Sequence, residues 1–291
     1  MFIPAGVTAS SIGDNLDHFG DDCFAAYSVR RFNRYSGFGF RIRRTVDEVE
    51  ADLYFDDLGE ISFDSSVANF SSSSYASNLG EFMAASGYTD QDSLGAVASA
   101  RVSAWKDQSG NGRDIVQTSI TRQPLLVHNA VIITENGKVA LDFYSDRLEW
   151  DDATVQSHPR TFLAVANSDS HTSSDYMFDS DDNNNRLLFI HNSSVRTMYS
   201  TAFAGTSSAD ANQNLWFGLF NGSSSELAIN GTNETSLDPG SGGIDGLCVG
   251  ARYNGGNSWD GDIQEFIHWG ADMSANRSNI EGDTNKYFGI Y

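Results

Sequence analysis

The sequence predicts an all-β fold: an antiparallel β-sandwich or jelly roll with a few short helices and one C-terminal helix. Three observations carry that reading. Beyond Trp105, short apolar runs alternate with turn residues at regular intervals. Residues 161–166 and 215–220 are apolar on both faces, as inner strands of two packed sheets must be. Helical periodicity is confined to a few short stretches and the C-terminus.

Taken in order, residues 1–22 lack a period and hold Gly6, Gly13 and Gly20, which predicts an extended arm. One jelly-roll domain is expected over 23–291, with 23–104 as a subregion packed on it. Residues 24–32 read as a short opening helix. Residues 37–44 alternate apolar and basic side chains, the pattern of a half-buried strand, and Val49, Ala51, Leu53 and Phe55 continue it to a turn at 56–59. Leu79, Phe82 and Met83, then Leu94 and Val97, mark short helical pieces after a serine loop at 71–74. Val139, Leu141 and Phe143 alternate, and 186–190 reads as a buried strand. Asn230-Gly231 tolerates the positive φ of a tight turn, so 225–237 is a hairpin. Residues 247–250 and 263–269 are the last strands. The closing helix is capped by Asp272 or Ser274 and turns Ile280 and Tyr287 inward.

The composition excludes several function classes. The 291 residues carry 18 basic and 39 acidic side chains, a net charge of −21, with a pI near 4.4. Such a surface repels phosphate backbones and anionic membranes, so neither nucleic acid nor membrane is an expected partner. Hydrophobic residues at 40% and aromatics at 12% suffice for a core, which excludes disorder. No apolar run approaches the ~20 residues of a membrane helix. The start, Met1 to Gly6, has no basic n-region and no apolar h-region, so no secretory signal is read and synthesis in a reducing cytosol is expected. Cys23 and Cys248 accordingly read as two buried thiols rather than a bridge.

Two segments carry a family resemblance. Ala26-Tyr27-Ser28-Val29-Arg30-Arg31, Tyr35-Ser36-Gly37 and Phe40-Arg41-Ile42-Arg43-Arg44, followed by Trp105-Lys106-Asp107-Gln108-Ser109-Gly110-Asn111-Gly112, resemble the opening of the fungal α-L-arabinofuranosidase B catalytic domain. The same pair of motifs resembles a domain of phage tail and virion proteins. Trp259-Asp260-Gly261-Asp262-Ile263-Gln264-Glu265-Phe266, with Tyr287-Phe288-Gly289 after a helix, is similar to the closing strand and helix of laminin-G-like, concanavalin A-like jelly rolls. The motifs bracket residues 23–291 and speak to fold more than to activity. A retaining arabinofuranosidase needs two carboxyls about 5 Å apart. The resemblance places the family's nucleophilic glutamate in the segment 185–190, which here holds no acid. The expectation is therefore a chain that is not an enzyme.

Each remaining motif has a functional and a plain reading. Asp107-Gln108-Ser109-Gly110-Asn111-Gly112 is a turn by composition and is expected to tie the N-terminal segment to the sandwich. Asp260-x-Asp262-x-x-Glu265 resembles the Glu-x-Asp-x-x-Glu strand of concanavalin A-like glucanases, but alternation leaves Glu265 on the other face unless a bulge intervenes. Asp179, Asp181 and Asn183 offer hard oxygen ligands at alternate positions, suited to Ca²⁺, with a solvated acidic loop as the plain reading. Residues 30–44 hold six arginines and no acid, and the acids of 47–57 follow, which predicts charge pairing across a ladder. Among aromatics near strand ends (Tyr144, Tyr253, Trp259 and Trp269), Tyr253 and Trp259 flank a Gly-Asn loop and are the expected sugar-stacking faces, assisted by Asn254 and Asn257.

Together these readings predict a structural bacteriophage protein, a head decoration, head fibre or tail appendage found in the virion. Its expected partners are other virion proteins, docked through Phe2, Ile3 and Pro4 of the arm, and a cell-surface polysaccharide. A trimer would suit phage symmetry. Carbohydrate binding by a tail receptor is the neighbouring reading, and an arabinofuranosidase-type glycosidase the more distant one.

Overall fold

A computed structural model describes Asn15, Asp17 and residues 20–72, 76–84, 98–170, 174–205, 207–233 and 238–291. Phe2, Ile3, Pro4, Leu94 and Val97 lie outside the described residues.

Two antiparallel layers face each other. In the first, the strand Asp260–Trp269 is central. It pairs on one side with Arg160–Ala166, which continues to Asn214–Phe220 and Glu226–Ile229. Its other edge is shared by two strands. Cys23–Ser28 takes the C-terminal half and Leu141–Tyr144 the N-terminal half. The second layer runs from Leu148–Trp150 through Leu247–Val249, Asp175–Asp179 and Leu188–Asn192 to Val195–Tyr199. Ala100–Trp105 links the layers, through Leu125–His128 to the first and through Ile115–Val116 to the second. Its free edge carries Phe40–Arg44 and Glu50–Leu53. An all-β sandwich is thus what the chain forms.

Between the layers, phenylalanine rings interdigitate. Phe162 stacks on Phe178 at 4.8 Å, and Phe178 meets Phe266 and Phe189 edge-on at 4.9 and 5.0 Å. Trp216 stacks on Phe189 at 5.5 Å. Rings at these offsets add to the area they bury, and burial of such side chains is worth about 1.5–3 kcal/mol each. The C-terminal helix Arg277–Phe288 buries Ile280 and Phe288, and Gly289 ends it in the left-handed conformation at φ 64°.

Several expectations meet the structure directly. Asn230 and Gly231 have φ of 51° and 76°, the two positive values of a tight hairpin turn. Leu79–Ala84 is a helix that buries Leu79, Phe82 and Met83. Cys23 and Cys248 are free and buried, and burial raises both thiols. The opening helix is a correction: Cys23–Ser28 is a strand. The edge of the closing strand offers it a ladder, and that pairing overrides the local preference of Ala25 and Ala26. The closing helix is also capped differently. Asp272 Oδ1 accepts from the Ser274 N–H at 3.0 Å and so holds a single 3₁₀ turn, Ser274–Asn276, ahead of the helix.

Candidate functional site

The closing strand sets the geometry. Val165 faces Glu265 and Ala166 faces Ile263, so Gln264 is bulged out of register. Its amide nitrogen reaches the carbonyls of Glu135, Lys138 and Val139, anchoring a small hairpin. The bulge shifts the alternation by one residue and returns Glu265 to the face of Asp260 and Asp262. Glu265 is fully buried and held by Arg30 at 2.8 Å, by Ser28 Oγ at 2.8 Å and by Thr284 Oγ1 at 3.2 Å. Arg30 also pairs with Asp283 of the C-terminal helix at 3.0 Å. Glu265 is therefore a structural lock between strand and helix. Arg41 and Arg43 pair with Glu50 and Asp52 across the ladder, as the charge pattern predicts.

The Asp107 loop is a clasp. Asp107 accepts from the N–H groups of Ala26, Ser109 and Arg113 at 2.9–3.0 Å. Gln108 accepts from Phe32 N–H and donates to the carbonyls of Ser28 and Arg30. Asn111 donates to the carbonyls of Cys23 and Phe24. These groups satisfy backbone groups along the first strand and just past its end, which is the tie the sequence predicts.

The open cleft lies at the start of the closing strand. It is a cavity of about 430 Å³ lined by Tyr144, Ser145, Ser170, Ser174, Asp175, Asn257, Ser258 and Asp260. Tyr144 and Asp260, both in its lining, are ladder partners. Tyr144 stands 71% exposed. Asp175 opens the second-layer strand, and the Tyr176 N–H bonds to Asn257 O at 3.0 Å, bringing the 257–258 loop alongside. Burial, and then the Asp169 carboxylate, raise Asp260 above the usual carboxylate range. Deeper along the same strand, Asp262 faces Asp142, and burial with the charges of Asp142, Glu135 and Asp169 pushes it up to about 7. An exposed ring beside carboxylates, hydroxyls and an amide, in a volume typical of small-ligand sites, can stack on a sugar face and bind its hydroxyls.

Of the predicted glycan contacts, the structure brings only Asn257 to this cleft. Trp259 is a correction. It is 1% exposed, and its indole N–H donates to Asn167 O at 2.7 Å, so it is core. The Tyr253 ring is engaged by the guanidiniums of Arg186 and Arg252, at 5.2 and 5.0 Å. Asn254 turns its side chain onto the Gly256 N–H. Tyr144, which the sequence marks only as one aromatic among several near strand ends, supplies the exposed ring instead. The predicted metal set is also corrected. Asp179 is buried against Arg186 at 2.5 Å, so its charge is already matched. Asn183 is exposed. Asp181 instead meets Asp182 and Asp245, with one carboxylate oxygen of each within 4.8 Å of the others. Burial raises Asp181 to about 6, against the Asp152 N–H, and the Asp245 charge adds to it.

No family model and no curated protein matches the chain. Solved structures do. An arabinofuranosidase complexed with arabinofuranosyl-α-1,2-xylobiose superposes with a TM-score of 0.57 at 14% identity, over 90% of this chain and 62% of that one. A GH54 α-L-arabinofuranosidase soaked with a cyclic sulfate inhibitor gives 0.54 at 14%, over 91% and 63%. The chain shares their fold. It spans about 62–63% of their length. The expectation of a chain that is not an enzyme is overturned by this comparison: the solved structures that share its fold along nine-tenths of its length are glycoside hydrolases. At 14% identity the likeness is one of fold.

Proposed function

We propose that this chain binds a neutral polysaccharide in the cleft between Tyr144, Asp175, Asn257 and Asp260. The exposed Tyr144 ring, lining the same cavity as its ladder partner Asp260, is the observation that carries the reading. The carboxylates choose among sugars. They accept from hydroxyls, and they repel uronic and sialic acids, as does a net charge of −21. The fold shared with arabinofuranosidases supports a carbohydrate ligand and makes arabinoxylan the first probe. Affinity electrophoresis in neutral and uronate-containing polysaccharides tests it, with reducing-end release measured on the same samples. Retardation by a neutral polymer is expected. Tyr144→Ala is expected to weaken it about tenfold, the worth of one stacked ring, without lowering Tm. Unchanged retardation in that variant would remove the cleft from consideration.

A place in a bacteriophage particle is the finer reading. The motifs at 26–44 and 105–114 support it by their resemblance to virion domains. Quantitative mass spectrometry of purified particles checks it, and absence of the chain from them would contradict it.

A further inference from the structure

We propose that Asp181, Asp182 and Asp245 form a divalent-cation site of the hard, oxygen-ligand class, suited to Ca²⁺. The three carboxylates come from two connections that the sheet brings together. Asp181 and Asp182 follow the strand Asp175–Asp179. Asp245 precedes Leu247–Val249, its ladder partner. The Asp181 N–H donates to Asp245 O at 3.1 Å and fixes the two connections side by side.

Neighbouring acids alone would not separate a site from a solvated loop. Asp245 does. It is only 6% exposed. Its Oδ2 accepts from Asn185 Nδ2 at 2.8 Å, no donor reaches its buried Oδ1, and its carboxyl lies within hydrogen-bond reach of that of Asp181, so two acceptors face each other. Buried carboxylate oxygens are normally bonded, because desolvating one without a partner is costly. A cation among the three carboxylates removes that cost. Among the described residues no basic side chain pairs with any of the three; Arg186, on the same loop, is committed to Asp179.

The connection before Leu247–Val249 passes close against the Asp181 carboxylate. Gly246 sits at φ 52°, and a Cβ there would run into the Asp181 carboxylate and the Trp150 carbonyl. The donors are all oxygens, with no Cys or His among them, which selects Ca²⁺ or a similar hard ion over zinc. Ca²⁺ takes about six to eight oxygens, so water and the Asn185 amide oxygen, once the amide is turned over, complete the shell. Asp182 is steadied by Asn184, whose N–H reaches its Oδ1 at 2.6 Å.

The test is calorimetric titration of the chelator-treated full chain with Ca²⁺ alone, alongside Tm with and without the ion. No glycan is present, so the outcome is independent of the cleft. Saturable binding and a raised Tm are expected. Asp245→Asn and Asp182→Asn should each weaken binding tenfold or more. Asp182 lies on the loop surface, so its variant reports even where Asp245→Asn does not fold. Absence of Ca²⁺ binding and of a Tm shift in the native chain would overturn the site, as would unchanged affinity in Asp182→Asn.

Discussion

Asp262 faces Asp142 across the ladder with Glu135 and Asp169 nearby, and its carboxyl is pushed up to about 7. An aspartate in the unfolded chain titrates near 3.9. The folded state therefore binds more protons between about pH 4 and 7. The stability this group contributes is fully present below pH 4 and is lost as pH rises through 7. In urea titrations the native chain should fall relative to Asp262→Asn by up to about 1.4 kcal/mol per pH unit in that window. Parallel curves for the two proteins would show that Asp262 ionises at its ordinary value. Residue-scale legibility was uneven. Glu265 and Asp260 stand out in the sequence, but the bulge at Gln264 and the Arg30 lock depend on a strand and a helix far away in the chain. Trp259 beside a Gly-Asn loop reads as exposed. Its burial is decided by the Asn167 carbonyl, 92 residues away.

The clasp and the first strand form one element. Asp107 alone satisfies three N–H groups, those of Ala26, Ser109 and Arg113. Asp107→Ala leaves all three without that acceptor and should cost about 2–4 kcal/mol, since bonds to a charged group are each worth about 1.5–3 kcal/mol and water recovers part. Chemical denaturation measures it, and a loss under 0.5 kcal/mol would show that the loop does not hold the strand. The turn composition of the 107–112 run made this element legible, and so did the Asn-Gly hairpin. The first strand was not, because Ala25 and Ala26 favour a helix locally and only the edge of Asp260–Trp269 makes the segment extended. Gly261 was legible as part of a closing motif. Its reason is tertiary: at φ 143° it passes close to the backbone of Asn167 and Ser168, where a Cβ would not fit.

Across the whole molecule, apolar runs and turn spacing were enough to predict two packed antiparallel layers. The cleft was beyond their reach. Its lining comes from four separated stretches, near residues 144, 170, 175 and 258, which meet only because Leu141–Tyr144 and Asp260–Trp269 pair while Asp175–Asp179 lies in the opposite layer. The acidic charge speaks at this scale too, because it disfavours anionic ligands before any contact forms. Amide hydrogen exchange, measured on the chain saturated with the neutral oligosaccharide that retards it, tests the central claim most directly. Slowed exchange is expected in peptides covering 144–146, 174–176 and 257–260, with 23–28 unchanged. Protection confined to other segments, or no neutral oligosaccharide that binds at all, would contradict the account.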